Sequence, residues 1–401
     1  MNAVPSTLEQ QLAAQLESLK QAGQHRHSRL VLPCPGGHCQ IDARECWNFA
    51  GNDYLGLADH PSLITAAEAA ISQAGLGARA SVLVSGYTPW HAELTARLAI
   101  LKQTPAALLF PSGYAANVGT LCALAGPDDL ILCDRLNHAS LIDGCRLSRA
   151  RFQVYPHADA AACRRILSQQ AGYRRTFIVT ESVFSMDGDH APLAELLQIA
   201  DDLEAQLIVD EAHATGVFGE TGAGLLSALD LPHDRVISIG TLSKAVGLQG
   251  GFVCGSATLI DWLWNSARTH MFSTGLSLPV CAAGCAAIDL IRTEPERRDW
   301  LARASAHVIS TLRADGWNIP PATVGPVVPV IIGSEAETMQ LARQLEEQGI
   351  LVAGIRPPTV PKGTSRLRVS LSYAVQDCGI DALLQAFSAC RQAGHGQQNG
   401  Q

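Results

Sequence analysis

Lys244 stands in unusually small and apolar company. It follows Thr241, Leu242 and Ser243 and precedes Ala245, Val246 and Gly247. A lysine taken out of water gives up its proton more easily, and the neutral amine is both a nucleophile and a base. Beside two hydroxyl residues, such an amine suits a Schiff base with a phosphorylated aldehyde cofactor. Gly247, Gly250 and Gly251 follow closely, and glycine permits close backbone approach or positive φ. Taken alone, the window reads equally as a lysine capping a tight turn before Phe252.

Other residues of the same chemical bearing are spread along the chain. Asp210 lies thirty-four residues before Lys244, directly after the apolar run Leu207–Val209, and opens Asp210-Glu211-Ala212-His213. A carboxylate at the end of a buried strand can hold a protonated ring nitrogen, and His213 can reach the same side. A helix-capping Asp with a satisfied His is the competing reading. His138 follows the run Leu130–Cys133, where its ring can stack on a flat ligand or serve structure alone. Pro111-Ser112-Gly113-Tyr114 leads from Ala106–Phe110 into a helix. The free N–H groups of a helix start form an anion site, although a simple Ser112 cap explains the segment as well. Together these make an anion cup, a stacking ring, a buried acid and a lysine, the set that pyridoxal phosphate (PLP) requires. The acidic run Glu181 to Asp189 is broken by Phe184 and Met186 and lacks the spacing of a calcium loop, so no metal is expected.

The elements that must position these groups follow from the apolar pattern. Ala106–Phe110, Leu130–Cys133, Phe152–Tyr155, Phe177–Thr180, Leu207–Val209, Val236–Ile239 and Phe252–Cys254 are short apolar runs separated by helical segments. That alternation predicts an α/β fold with a mainly parallel seven-stranded sheet covered by helices on both faces. Ligands in such folds bind at the C-terminal ends of strands, which is where the candidates lie. Residues 1–47 read as a helix, with Leu8, Leu12, Leu16 and Leu19 on one face, followed by a Pro/Gly-rich connection; residues 48–290 as a large cofactor-binding domain; residues 291–391 as a smaller α+β domain; and residues 392–401 as a disordered tail. Asn48 to Leu57 and Ser85-Gly86-Tyr87 read as loops.

Composition narrows the function classes. The 401 residues are 47% hydrophobic and 16% charged, with a net charge of −8 and no long basic run, which excludes nucleic acid and anionic membranes as expected partners. The apolar stretch Val280–Ile288 is too short to span a bilayer. Twelve cysteines, several within apolar runs and none in a Cys-x-x-Cys pair, fit a reducing cytoplasm rather than a disulfide scaffold or zinc site.

Four stretches carry a family resemblance. Asn52-Asp53-Tyr54-Leu55-Gly56, Thr180 to Asp189, Asp210-Glu211-Ala212-His213 and Thr241-Leu242-Ser243-Lys244 resemble the α-oxoamine synthases, fold-type I PLP enzymes that condense an amino acid with an acyl thioester and release CO2. The resemblance runs from about Leu12 to Phe387. Two further stretches, Val84-Ser85-Gly86-Tyr87 and Ile355 to Pro361, are similar to the family member of biotin biosynthesis that joins L-alanine to a pimeloyl thioester of coenzyme A or acyl carrier protein.

The resemblance implies a role for each matching residue. Lys244 is the Schiff-base lysine, Asp210 pairs with the pyridinium nitrogen, and His213 and Ser185 lie near the ring hydroxyl. His138 stacks on the ring and borders the substrate, while Gly113, Tyr114 and Thr241 hold phosphate or ring. Arg26 and Thr359 contact substrate, and Arg368 clamps the amino-acid carboxylate, a task that suits its bidentate fork. The family further implies a homodimer with active sites at the interface. Residues 77–83 depart from the glycine- and arginine-containing run common in the family, with Val82 near the place of an arginine, and Tyr114 stands where relatives often carry Phe. Rival readings keep the fold and change the substrates (glycine or serine with another acyl thioester), change the reaction to transamination, or leave a non-catalytic binding module.

Overall fold

The computed structural model describes residues 7–232 and 235–398, the last six of these by backbone alone. The chain opens with the helix Leu8–Gln21, started by a reciprocal cap in which Thr7 Oγ1 accepts from Gln10 N and Gln10 Oε1 accepts from Thr7 N. The helix forms as its sequence predicts, but its leucine face is uncovered: Leu8, Leu12, Leu16 and Leu19 are all exposed.

The segment read as a Pro/Gly-rich connection is instead three strands, β1 (Leu32–Cys34), β2 (His38–Ile41) and β3 (Arg44–Asn48). They pair antiparallel, with Cys39 opposite Cys46 and Ile41 opposite Arg44. Cys39, Ile41 and Cys46 are buried while Gln40 and Glu45 face solvent, the two-residue period of a half-buried strand. The turn between β2 and β3 places Asp42 and Ala43 at φ 48° and 63°. Alanine rarely adopts that conformation, so the sequence carried no signal for so tight a hairpin.

The central sheet holds β4 (Ala106–Phe110), β5 (Leu130–Asp134), β6 (Arg151–Tyr155), β7 (Thr176–Glu181), β8 (Gln206–Asp210), β9 (Val236–Thr241) and β10 (Gly251–Gly255). Their order is β4-β10-β9-β8-β7-β5-β6. β10 alone runs antiparallel to its neighbours, and the other pairings are parallel. All five residues of β5 and all six of β9 are buried, because helices cover both faces. The C-terminal ends of β4, β5, β7, β8 and β9 therefore share one edge of the sheet.

A second antiparallel sheet is built from β11 (Val327–Gly333), β13 (Ala353–Ile355) and β14 (Ser365–Ser370), while β12 (Ile350–Leu351) pairs in parallel with β3. The N-terminal strands thus belong with the C-terminal region. The helices Pro295–Ala314, Glu335–Glu347 and Gln376–Gln398 cover this part. Val328, Val330, Leu367 and Val369 are fully buried, and each such side chain contributes about 1.5–3 kcal/mol relative to exposure. The last helix runs to Gln398, so the tail expected from residue 392 is helical over its described part, and residues 399–401 lie outside the described residues.

Val82–Gly86, which includes Ser85 and Gly86 of the stretch Ser85-Gly86-Tyr87 read as a loop, forms one turn of π-helix. Gly86 permits it, since a Cβ there would lie 2.0 Å from the Ala80 carbonyl oxygen. Among the described residues, no helix is long and apolar enough to cross a membrane.

Candidate active site

The strand-end loops converge on one cavity of about 220 Å³. Gly113, Tyr114, His138, Asp210, His213, Thr241 and Lys244 all line it, joined by Ser112, Asn117, Ser140, Glu181 and Ser243. Seven residues singled out from sequence, drawn from four different loops, thus meet in one place.

Lys244 enters from the loop after β9. Burial lowers its pKa to about 8, while the negative charges of Asp210 and Glu181 pull the other way. At pH 7 roughly a tenth of the amine is then neutral, far more than for an ordinary lysine. The glycines after it shape the backbone rather than leave room for a ligand. Gly247 and Gly250 sit at φ 76° and 140°, and a Cβ on Gly247 would press to 2.6 Å on Ala58 N. Gly251 lets the turn at Ser112 and Gly113 approach, because a Cβ there would lie 2.3 Å from Ser112 O.

Asp210 ends β8 and is buried. Its Oδ2 accepts from Asn117 Nδ2 at 2.7 Å and its Oδ1 accepts from Ala212 N at 2.8 Å. Asn117 lies one helical turn past Gly113, on the helix Gly113–Leu124, and also donates to Ser140 Oγ at 2.8 Å. A carboxylate so held, without a hydrogen-bonded cation, is arranged to accept one more donor from the cavity. Ser112 caps the same helix by accepting from Ala115 N at 3.1 Å. Thr241 Oγ1 lies 2.7 Å from Ser243 Oγ and donates to Gly250 O at 2.8 Å, which places two hydroxyls beside that helix start.

His138 caps the next helix, Ala139–Leu147, with its Nδ1 2.7 Å from Ser140 Oγ. Burial lowers its pKa, opposed by Asp210. Its backbone N–H donates to Glu181, a buried acid whose pKa is pushed well up by desolvation and by the neighbouring Asp210. His213 is buried, with Nδ1 2.6 Å from the Tyr54 hydroxyl, and desolvation drives its pKa well below the ordinary histidine value. It therefore stays neutral.

Four predicted residues lie outside the cavity lining. Arg368 is buried on β14, donating from Nε to Ser185 O (2.6 Å), from Nη1 to Ser370 Oγ (2.7 Å) and from Nη2 to Asn52 Oδ1 (3.1 Å) and Tyr54 Oη (3.3 Å). Ser185 takes part through its carbonyl. Arg26 and Thr359 are exposed, on segments joined by the bond from Arg356 Nη2 to His25 O at 3.2 Å. Two carboxylates of the acidic run meet basic side chains: Asp187 pairs with Arg366 at 2.6 Å and Asp189 with His157 at 2.8 Å. Residue-by-residue reading missed Asn117, Glu181 and Tyr54. Asn117 was visible in principle as the i+4 partner of Gly113 on a helix.

The cavity fits PLP. It offers a helix start and hydroxyls for a phosphate, an unpaired buried carboxylate for a ring N–H, and an amine for the aldehyde. Fold and site together are those of a PLP-dependent transferase of fold type I. The aminotransferase class I and II family matches residues 44–387, and the chain belongs to it. Curated relatives extend the match. The 8-amino-7-oxononanoate synthase of Marinobacter nauticus is 43% identical over 380 residues, covering 94% of this chain and 96% of that protein. The 8-amino-7-oxononanoate synthase of Anaeromyxobacter dehalogenans is 45% identical over 379 residues, covering 94% of each chain. Among solved structures, the serine palmitoyltransferase of Sphingomonas wittichii superposes with a TM-score of 0.90 at 28% identity, covering 97% of this chain and 99% of that one.

Proposed function

We propose that the chain is a PLP-dependent acyltransferase that condenses L-alanine with a pimeloyl thioester, releasing the thiol and CO2 and forming 8-amino-7-oxononanoate for biotin biosynthesis. The observation that carries this reading is the meeting of Asp210 and Lys244 across one cavity beside a helix start, in a chain that matches 8-amino-7-oxononanoate synthases over 94% of its length.

Bound in the cavity, PLP supplies an aldehyde for the substrate amine and a sink for electrons released at its α-carbon. Ser112, Gly113, Tyr114, Thr241 and Ser243 hold the phosphate end through backbone N–H groups and hydroxyls. Asp210 keeps a ring N–H in place by accepting from it, and Asn117 keeps Asp210 in place. His138 would stack on the cofactor, and the neutral His213, fixed by Tyr54, would offer it a hydrogen bond together with Ser185. Lys244, with its amine free, would accept the α-proton at Nζ, and the resulting ammonium would return a proton to the product carbon. Arg368, oriented by Ser185, Ser370, Asn52 and Tyr54, takes the amino-acid carboxylate. Arg26 and Thr359, brought to one side by Arg356, contact the acyl substrate.

The test is a thiol-release assay on PLP-loaded protein given L-alanine with pimeloyl-CoA or pimeloyl carrier protein. Free thiol and CO2 are expected only when both substrates are present, and the faster donor identifies the acyl carrier. Pyruvate formed from alanine alone, with no thiol released, would replace this reading with transamination.

The working unit is a homodimer in the cytoplasm. Leu83, Val84 and Tyr87, on and beside the π-helical turn, are exposed apolar side chains, as is Phe272, and the bridge between Ser81 and Thr274 ties the two segments together. All twelve cysteines are free thiols, which suits a reducing compartment. Gel filtration of a cytosolic fraction should recover activity at roughly twice the 42.5 kDa chain mass; elution as a single chain counts against the dimer.

A further inference from the structure

His157 lies on the turn after β6, two residues beyond Tyr155, and is largely buried. Both ring nitrogens face carboxylates: Nδ1 is 3.0 Å from Asp134 Oδ1, and Nε2 is 2.8 Å from Asp189 Oδ2. A neutral imidazole carries one N–H. It would turn a lone pair on one of the two carboxylates, whereas the imidazolium donates to both. The pair raises the ring's pKa to about 10 against the desolvation that would lower it. Among the described residues, neither acid has an alternative cation within bonding distance. Asp134 is fully buried and otherwise accepts only from Leu136 N and Ala158 N, both at 2.8 Å, while Asp189 Oδ1 is buried without a partner. The ring also meets Phe184 edge-on, with centroids 4.4 Å apart.

The two acids belong to different walls of the active-site region. Asp134 ends β5 and begins the turn to His138, where Asn137 N donates to its carbonyl at 3.2 Å. Asp189 closes the turn 184–189: its carbonyl accepts from Phe184 N at 3.0 Å, and Gly188 N donates to Phe184 O at 2.9 Å. That turn presents the Ser185 carbonyl to Arg368 and the Asp187 carboxylate to Arg366. A displacement between the two turns would therefore move the stacking ring relative to the carboxylate clamp.

We infer that His157 is a positioning residue for the amino-acid substrate: as a fixed cation between Asp134 and Asp189, it holds the turn carrying His138 against the turn that seats Arg368. The inference rests on the reading above, in which an amino acid sits between those two side chains.

Two measurements test it. Nitrogen NMR of protein labelled in its histidine rings, at pH 8, should show one histidine with both nitrogens protonated, and that signal should vanish in His157→Gln. A neutral ring at His157 overturns the clamp whatever reaction the protein performs. In PLP-loaded enzyme, His157→Gln should raise KM for alanine on the order of 10-fold and leave KM for the acyl thioester within about two-fold. Where that variant fails to fold, Asp189→Asn, which leaves Asp134 paired, should shift KM in the same direction. A lowered melting temperature with KM for alanine unchanged overturns positioning and leaves structure alone. Wild-type protein that ignores alanine while showing the imidazolium signal overturns the proposed substrate and not the clamp.

Discussion

Lys244→Ala is expected to leave a folded protein that takes up PLP but no longer turns over. The lysine enters the scheme twice. Its Nζ is the only amine in the cavity lining, so it alone among those residues can tether the aldehyde covalently. Its pKa near 8 leaves part of the amine unprotonated near neutral pH while keeping it a stronger base than the lining histidines His138 and His213, whose pKa values burial lowers. Loss of a positioned general base removes about 10²–10⁴-fold in rate, and loss of the tether adds to this. The other proposed cofactor contacts, at Ser112, Gly113, Asp210 and Thr241, are untouched, so binding should persist. Borohydride reduction followed by mass measurement separates the two losses. Wild-type protein should retain the cofactor covalently and the variant should not. A small primary amine added to the variant should restore part of the rate by acting as the missing base. A variant that turns over at the wild-type rate would remove Lys244 from the mechanism.

How much of this was legible in the sequence depends on whether the physical signal is local. The seven strands of the central sheet were legible because each is a short, largely apolar run; burial on both faces demands this of the interior strands, whereas the edge strand β6 carries Gln153 and is fully buried only at Tyr155. Asp210, His213, Thr241 and Lys244 were legible because residues following such runs must share the sheet's C-terminal edge. The N-terminal hairpin was not, because Ala43 at positive φ gives no local warning of a turn. The seat of Arg368 was not legible from spacing at all. Asn52, Tyr54 and Ser185 reach it from 316, 314 and 183 residues away, and nothing in a linear chain announces that convergence. Glu181 was read as one member of an acidic run. Its place under the His138 backbone depends on the alignment of β5 with β7.

Lys102 is the most instructive of these non-local cases, and replacing it should cause the largest loss of stability. The sequence presents it as a polar residue ending the helix Pro89–Leu101, a position normally solvated. In the structure the side chain is fully buried, and Nζ donates to Glu211 Oε2 at 2.6 Å, Thr215 Oγ1 at 3.1 Å and the Ala223 carbonyl at 2.5 Å. Glu211 is equally buried and accepts further from Leu226 N at 3.0 Å and Ser238 Oγ at 3.3 Å. Gly224 is required beside it, because a Cβ there would lie 2.6 Å from Glu211 Oε1. Lys102→Met removes the one cation bonded to that carboxylate among the described residues, and breaking one side of a buried pair costs about 3–5 kcal/mol. Replacing both partners with apolar residues of similar volume removes the uncompensated charge, so Lys102→Met/Glu211→Met should recover much of the loss. Thermal unfolding of the two variants against the wild type measures this. A single variant as stable as the wild type, or a double variant worse than the single, would show that the pair does not work as a unit. Because Glu211 directly follows Asp210, and its N–H donates to the Ile239 carbonyl at 2.7 Å, the single variant should also bind PLP more weakly. The buried pair behind the sheet edge then supports Asp210, the acid proposed to face the cofactor.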